Sequence, residues 1–188
     1  MSDLPDGPST HRVFVTLGSN INPQKNLPAA VQQLSEFVNL LRVSSVWISS
    51  PVGFLDQPEF ANAAVLVETN LSPRDFKFQV LREIESNLGR VRDPSNKNGP
   101  RTIDLDIAFF GNSVICEEGL VIPDQEISEL PFLSRPLCEL DPEFVHPQLN
   151  IRLRDLDEQV AGQGDLKRSD SIDLLDGGNS SLVKRNEK

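Results

Sequence analysis

Apolar positions follow two rhythms along this chain, one alternating and one helical, with loops marked by proline and glycine between them. The run Val13-Phe14-Val15-Thr16-Leu17 predicts a strand, closed by Gly18-Ser19-Asn20. Asn22-Pro23 then marks a helix start, with Asn22 as cap and Pro23 in the first turn. Leu27, Ala30, Val31, Leu34, Phe37, Val38 and Leu41 recur at the spacing of one helix face. A second strand is predicted over 42–49, a loop over 50–58 from its prolines and Gly53, and a third strand over 60–68. Ala63, Val65 and Val67 form one side of that third strand. Ser72-Pro73-Arg74-Asp75 is close to a capping box. Phe76, Val80, Leu81, Ile84 and Leu88 supply the face of the helix it opens, and Gly89 ends it. Ile103, Leu105 and Ile107 alternate with Thr102, Asp104 and Asp106, which predicts a fourth strand with a polar and an apolar side.

The order βαββαβ implies an α+β domain of the ferredoxin-like kind, with a four-stranded antiparallel sheet and two helices on one face. Val114 and Ile115 suggest a short strand after the Gly111-Asn112 turn, and residues 151–160 a last helix. The chain divides into a flexible N-terminus (1–11), one domain (12–161) and a C-terminal extension (162–188). That extension is acidic and polar enough to be expected disordered, although Ile172, Leu174 and Leu175 could dock.

Composition narrows the function classes. The 188 residues are 38% hydrophobic and 24% charged, ordinary for a soluble globular domain. No apolar run reaches the length of a membrane span. The acidic, proline-containing start (Met1 to Pro8) does not resemble a leader, which points to the cytoplasm. A net charge of −10 argues against general nucleic-acid binding. Cys116 and Cys138 lack metal-ligand spacing and are expected as buried reduced thiols.

The chemistry concentrates around the fourth strand. Asp104 and Asp106 share one strand face, with Cα atoms roughly 6.5–7 Å apart, which suits hard cations shared with a phosphate. Arg90, Arg92, Lys97 and Arg101 lie between the second helix and that strand. An edge strand with a charged outer face is the plain alternative for the acids. It accounts poorly for four cations and two acids converging on one strand. Cations beside a carboxylate pair are what phosphoryl transfer requires, and the chain has no P-loop motif.

The run Lys97-Asn98-Gly99-Pro100-Arg101-Thr102-Ile103-Asp104-Leu105-Asp106-Ile107, with Gly89-Arg90-Val91-Arg92 before it, resembles the signature of the hydroxymethyldihydropterin pyrophosphokinases, and the likeness runs from about Val13 to about Pro147. The resemblance implies transfer of pyrophosphate from ATP to 6-hydroxymethyl-7,8-dihydropterin in tetrahydrofolate biosynthesis. It implies two Mg2+ ions on Asp104 and Asp106. The catalytic set would be Arg90, Arg92, Arg101, Asp104 and Asp106, with Glu85 and Lys97 joining the arginines at ATP. The pterin would lie against Ser49, Ser50 and Val52, between Phe60 and Phe132, its edge read by Asn62. The implied partners are these two small molecules, with no nucleic acid and no membrane, and the enzyme would act as a monomer. Several positions depart from the family pattern. Asp124 stands where a histidine is usual, Leu130 where an arginine is common, Asn98 where some members have tryptophan, and Arg82 where a glutamine is common. Nucleotide affinity is therefore expected to be weak. Two other functions fit the same residues: a non-catalytic pterin- or nucleotide-binding module, and a metal-dependent phosphohydrolase using Asp104 and Asp106.

Overall fold

The structure, a computed structural model, describes residues 10–92 and 98–176. Most of the predicted flexible N-terminus, residues 1–9, lies outside that range, and His11 already opens a strand. In order, the elements are β1 (His11–Ser19), α1 (Pro23–Phe37), β2 (Asn39–Val43), β3 (Val46–Ser49) and β4 (Phe60–Thr69). A helix follows, made of α2 (Pro73–Asp75), one π-helical stretch (Phe76–Leu81) and α3 (Arg82–Asn87). The chain continues with β5 (Asp104–Phe110), the hairpin of β6 (Ile115–Glu117) and β7 (Leu120–Ile122), a short 3-10 turn (Gln125–Ser128), α4 (Pro131–Leu140), α5 (Leu153–Val160) and β8 (Leu166–Ser169).

The sheet runs β5-β1-β4-β3-β8, with β2 also on β4, and every pairing is antiparallel. The first four positions are the ferredoxin-like order expected from sequence. The predicted second strand is two strands, because Ser44 and Ser45 interrupt the ladder. The Ser44 hydroxyl accepts from Ala64 N at 2.8 Å, and Ser45 N donates to the Glu139 carboxylate at 2.7 Å.

Alternation places Val13, Val15, Leu17, Ala63, Val65, Val67, Leu105 and Ile107 on one face, where α1 and the 73–87 helix cover them. The opposite face carries Phe14, Ala64, Leu66, Ala108 and Phe109, and α4 and α5 bury it with Leu137, Leu140, Leu153 and Leu156. The expectation of helices on one face thus holds for the first two helices, and the C-terminal pair covers the other side. A bulge adjusts this second face. Phe14 pairs Phe109 and Val15 pairs Ile107, so Ala108 is the extra residue, and it turns inward with Phe109.

The caps follow the sequence in part. Asn22 occupies the N-cap of α1 in a left-handed conformation, without a side-chain cap bond. Ser72 accepts from Asp75 N at 3.1 Å and donates to the Asp75 carboxylate, a shortened capping box. Gly89, at φ +73°, turns the chain out of the helix.

Two expectations are corrected. The stretch from 162 is not a disordered tail as far as Asp176. β8 pairs along β3, satisfying the hydrogen-bonding edge that strand would otherwise expose, and Leu174 and Leu175 are buried in the core. Cys116 is exposed and Cys138 half-buried, and both are free. Among the described residues no helix is long and apolar enough to cross a membrane.

Candidate active site

Strand register assembles the site. Gly18 on β1 pairs with Asn62 on β4 and with Asp104 on β5. The three residues form one row across the face that α4 covers, spanning roughly 9.5 Å over two strand spacings. Thr16 pairs with Asp106 one step along. Gly18 leaves the middle of the row open: a Cβ there would lie 3.7 Å from Asn62 Oδ1 and 3.9 Å from Asp104 Cβ. Above the row is a cavity of about 280 Å³, roofed by the segment 124–133 at the start of α4.

The cavity has an acidic end. Asp104 accepts from Arg90 on Oδ1 and from Arg101 on Oδ2. Burial alone would raise its carboxyl, but the charges and hydrogen bonds of Arg90, then of Arg101, outweigh that and hold it below the usual carboxylate value. Asp106 Oδ1 accepts from Lys77 Nζ at 2.8 Å and from Ile107 N at 2.7 Å. Asp124 faces the same space. Burial first, then the charges of Asp106 and Glu126, push its carboxyl up, while the Glu126 amide and Lys77 pull it down.

Behind Asp104 stands Glu85, buried at the end of α3. It accepts from Arg90 and, at 2.9 Å, from Leu105 N with Oε1, and from Arg92 at 2.6 Å with Oε2. This carboxylate fastens the turn after Gly89 to the start of β5 and aims Arg90 at Asp104. The loop carrying Arg101 is fastened from the other side. Arg101 N donates to Asn20 Oδ1 at 2.8 Å, and Ser19 Oγ to Thr102 O at 2.6 Å. Asn20 Nδ2 donates to Gln57 Oε1 at 3.0 Å, and Gln57 Nε2 to Asn98 O at 2.7 Å. The loops after β1, before β4 and before β5 are therefore one hydrogen-bonded unit. Gly53 suits this loop because its φ of +82° is a conformation that L side chains rarely adopt.

The other end of the cavity is aromatic and amide-lined. Phe60 and Phe132 both border it, as do Ser49, Ser50 and Val52. Arg101 sits over the Phe60 ring, 5.6 Å from its centroid, so one guanidinium joins the two ends. Asn62 Nδ2 donates to Ser49 Oγ at 3.0 Å and to the carbonyls of Trp47 and Phe60. Its Oδ1 faces the row beside Gly18, where it can accept a hydrogen bond.

Of the residues singled out from sequence, Ser49, Ser50, Val52, Phe60, Asn62, Arg101, Asp104, Asp106 and Phe132 line this one cavity. Glu85, Arg90 and Arg92 form the layer behind Asp104. Lys97 lies outside the described residues. Lys77 was missed by the sequence reading, because it sits 29 residues from its partner within a helix pattern where a lysine reads as solvent-facing. Of the positions of altered pattern, Asn98, Asp124 and Leu130 border the cavity, as does Glu126, while Arg82 does not.

The donor set fits a hard divalent cation. Both carboxylates project into the cavity. Among the described residues no group of three or more His, Cys, Asp or Glu could hold a metal by itself. Two carboxylates with remaining positions left to phosphate and water is the pattern magnesium takes.

Comparison with known proteins gives the same direction. Residues 14–142 match the family model described as 7,8-dihydro-6-hydroxymethylpterin-pyrophosphokinase. The chain is 39% identical over 141 residues to the 2-amino-4-hydroxy-6-hydroxymethyldihydropteridine pyrophosphokinase of Haemophilus influenzae, covering 73% of this chain and 86% of that one. It is 37% identical over 150 residues to the folic acid synthesis protein fol1 of Pneumocystis carinii, covering 79% of this chain but only 20% of that longer protein. The solved Plasmodium falciparum HPPK-DHPS, wild type with pteroate, shares the fold at a TM-score of 0.65 and 14% identity, over 80% of this chain and 44% of that one.

Proposed function

The chain belongs to the 7,8-dihydro-6-hydroxymethylpterin-pyrophosphokinase family, and from that premise we infer that it transfers the terminal pyrophosphate of ATP to 6-hydroxymethyl-7,8-dihydropterin on the way to folate. The hydroxymethyl oxygen bonds to the β-phosphorus, the bond from that phosphorus to the oxygen of the α-phosphate breaks, AMP leaves, and the hydroxyl proton passes to solvent. The observation that carries this reading is the row Asn62–Gly18–Asp104. It sets a ring-edge acceptor and a phosphate-side carboxylate at opposite ends of one cavity, with no side chain between them.

Phe60 and Phe132 hold the pterin by its faces, each stack adding about 0.5–1.5 kcal/mol beyond area burial. Asn62 Oδ1 accepts from an N–H of the ring edge. Arg90, Arg92 and Arg101 take the phosphate oxygens and neutralise charge that grows as the bond to AMP breaks. Asp104 and Asp106 would hold magnesium, two ions by their spacing and by the resemblance. Bound there, magnesium would supply charge neutralisation of the triphosphate and a lower pKa for the attacking hydroxyl. No side chain is assigned as general base, and positioning supplies much of the rate. The enzyme is taken to act as a monomer, as the family resemblance implies. The cytoplasm, where thiols such as Cys116 and Cys138 stay free, is the compartment this reading assumes.

The test is a reaction of ATP, magnesium and 6-hydroxymethyl-7,8-dihydropterin followed by mass spectrometry. Pterin diphosphate and AMP should form together, only when all three are present, and not with Asp106→Asn. ATP hydrolysis without pterin would make the protein a phosphohydrolase, and binding without turnover a non-catalytic module.

A further inference from the structure

The two acids of the site are not held alike. Asp104 gives both carboxylate oxygens to guanidinium groups. Asp106 receives an ammonium and a backbone amide, both on Oδ1, and among the described residues nothing donates to its Oδ2. The ammonium belongs to Lys77, whose side chain is only 12% exposed, while that of Asp106 is 45% exposed toward the cavity. Lys77 stands in the π-helical stretch Phe76–Leu81, a local irregularity often found at functional sites. It lies beneath the acids, where its charge also acts on Asp124.

We propose that Lys77 is a positioning residue that ties metal loading at Asp106 to the arrival of nucleotide. With magnesium held as assigned above, on which this rests, charge sets the order of loading. Without nucleotide, Asp104 is matched by Arg90 and Arg101 and Asp106 by Lys77, so a divalent cation would enter against charges already placed. The two carboxylates offer too few oxygens to hold it alone. A triphosphate changes both conditions. Its oxygens complete the metal's coordination, and its negative charge draws the guanidinium groups while Lys77 stays as a counter-charge beneath. Lys77 thus opposes free metal and favours the metal–nucleotide complex.

Lys77→Met removes the charge and keeps the length of the side chain, and Lys77→Arg keeps the charge. Binding of Mn2+ alone is read by electron paramagnetic resonance, and binding of a non-hydrolysable ATP analogue in EDTA by calorimetry. Lys77→Met should tighten Mn2+ alone by roughly tenfold and weaken the metal-free analogue, with Lys77→Arg matching wild type on both. Opposite shifts in the two affinities are not expected from a residue that merely supports the helix. Mn2+ affinity unchanged or lower in Lys77→Met would overturn the proposal, as would a Lys77→Arg variant that behaves like Lys77→Met. Lys77→Gln serves the same comparison if the Met variant is unfolded by circular dichroism. Asp106→Asn separates the two readings. If it binds as much Mn2+ with the analogue as wild type does, the magnesium assignment fails and the proposal with it. If it loses Mn2+ while Lys77→Met changes nothing, only the role of Lys77 fails.

Discussion

Glu85 offers the sharpest test of how the site is held. Its side chain is 3% exposed, and that of its partner Arg90 is 9% exposed. Replacing Glu85 with Ala removes three acceptances at once: Arg90, Arg92 and the buried Leu105 N–H. The local cluster of Glu85, Asp104, Arg90, Arg92 and Arg101 carries one net positive charge, and Glu85→Ala doubles it. Breaking a buried pair by deleting one partner typically costs about 3–5 kcal/mol, because the remaining charge stays desolvated. At about 2–4 °C per kcal/mol for a chain of this size, melting should fall by roughly 6–20 °C. Glu85→Gln keeps one oxygen for Leu105 N–H and Arg90 and loses the charge and the acceptance from Arg92, so its cost should be smaller, about 1–3 kcal/mol. Thermal and urea unfolding measure both variants, and amide exchange at Leu105 should accelerate in the Ala variant alone. In both, the arginines lose their aim, so the KM for ATP should rise with little change in that for pterin. An Ala variant melting within about 2 °C of wild type, or equal losses in Ala and Gln, would refute this account of Glu85.

The remaining predictions concern other parts of the molecule. Asn62→Ala should lower pterin affinity by about 1–3 kcal/mol by calorimetry and leave ATP affinity unchanged; equal loss of both would place Asn62 outside the ring subsite. Asp124→Asn should raise the melting temperature at neutral pH. The folded carboxyl sits above its unfolded value, so its ionisation opposes folding, and stability falls as pH rises from the unfolded value through the folded one. The gain from Asn should therefore fade as pH falls toward about 4, and it keeps the cap on Glu126 N; a gain unchanged across that range would point to another cause. Truncation after Gly164 should destabilise the protein by several kcal/mol, since burying Leu174 and Leu175 is lost at about 2–5 kcal/mol each; unchanged melting would show that they contribute nothing.

What could be read in advance follows physical lines. The alternation at 102–107 was legible because one side of the strand must meet the core, and the acids then face the other way by pleat alone. Asn62 and Asp104 could each be named, but their flanking of Gly18 depends on register across three strands. Lys77 was hidden for a related reason, and Glu85 could be named only through the family resemblance. Each is a charged residue in a helix where the pattern assigns solvent, and each meets a partner on β5. The π-helical stretch that carries Lys77 leaves no separate mark in the spacing of apolar residues. Leu174 and Leu175 are too few to suggest order by composition, and what orders them is burial in the core after β8 has paired with β3, a tertiary fact. Ser44 and Ser45 look like ordinary strand residues until their hydroxyl and amide are seen replacing the ladder.

α4 begins at the cavity with Phe132 and Leu133 and ends packed on the sheet through Leu137 and Leu140. Glu139, near its far end, grips Ser45 N and the Trp47 indole, and Arg42 caps its last carbonyl. One rigid rod is therefore both wall and anchor, and the gap it leaves for a ring is set some two turns away. Resistance to a competitive inhibitor consequently has two mutational routes. One alters Phe60, Asn62 or Phe132 and harms substrate as well. The other changes the volume of Leu137 against Phe109, shifting the wall by a fraction of an ångström, so that a bulky inhibitor loses its fit while the smaller substrate keeps every group that recognises it.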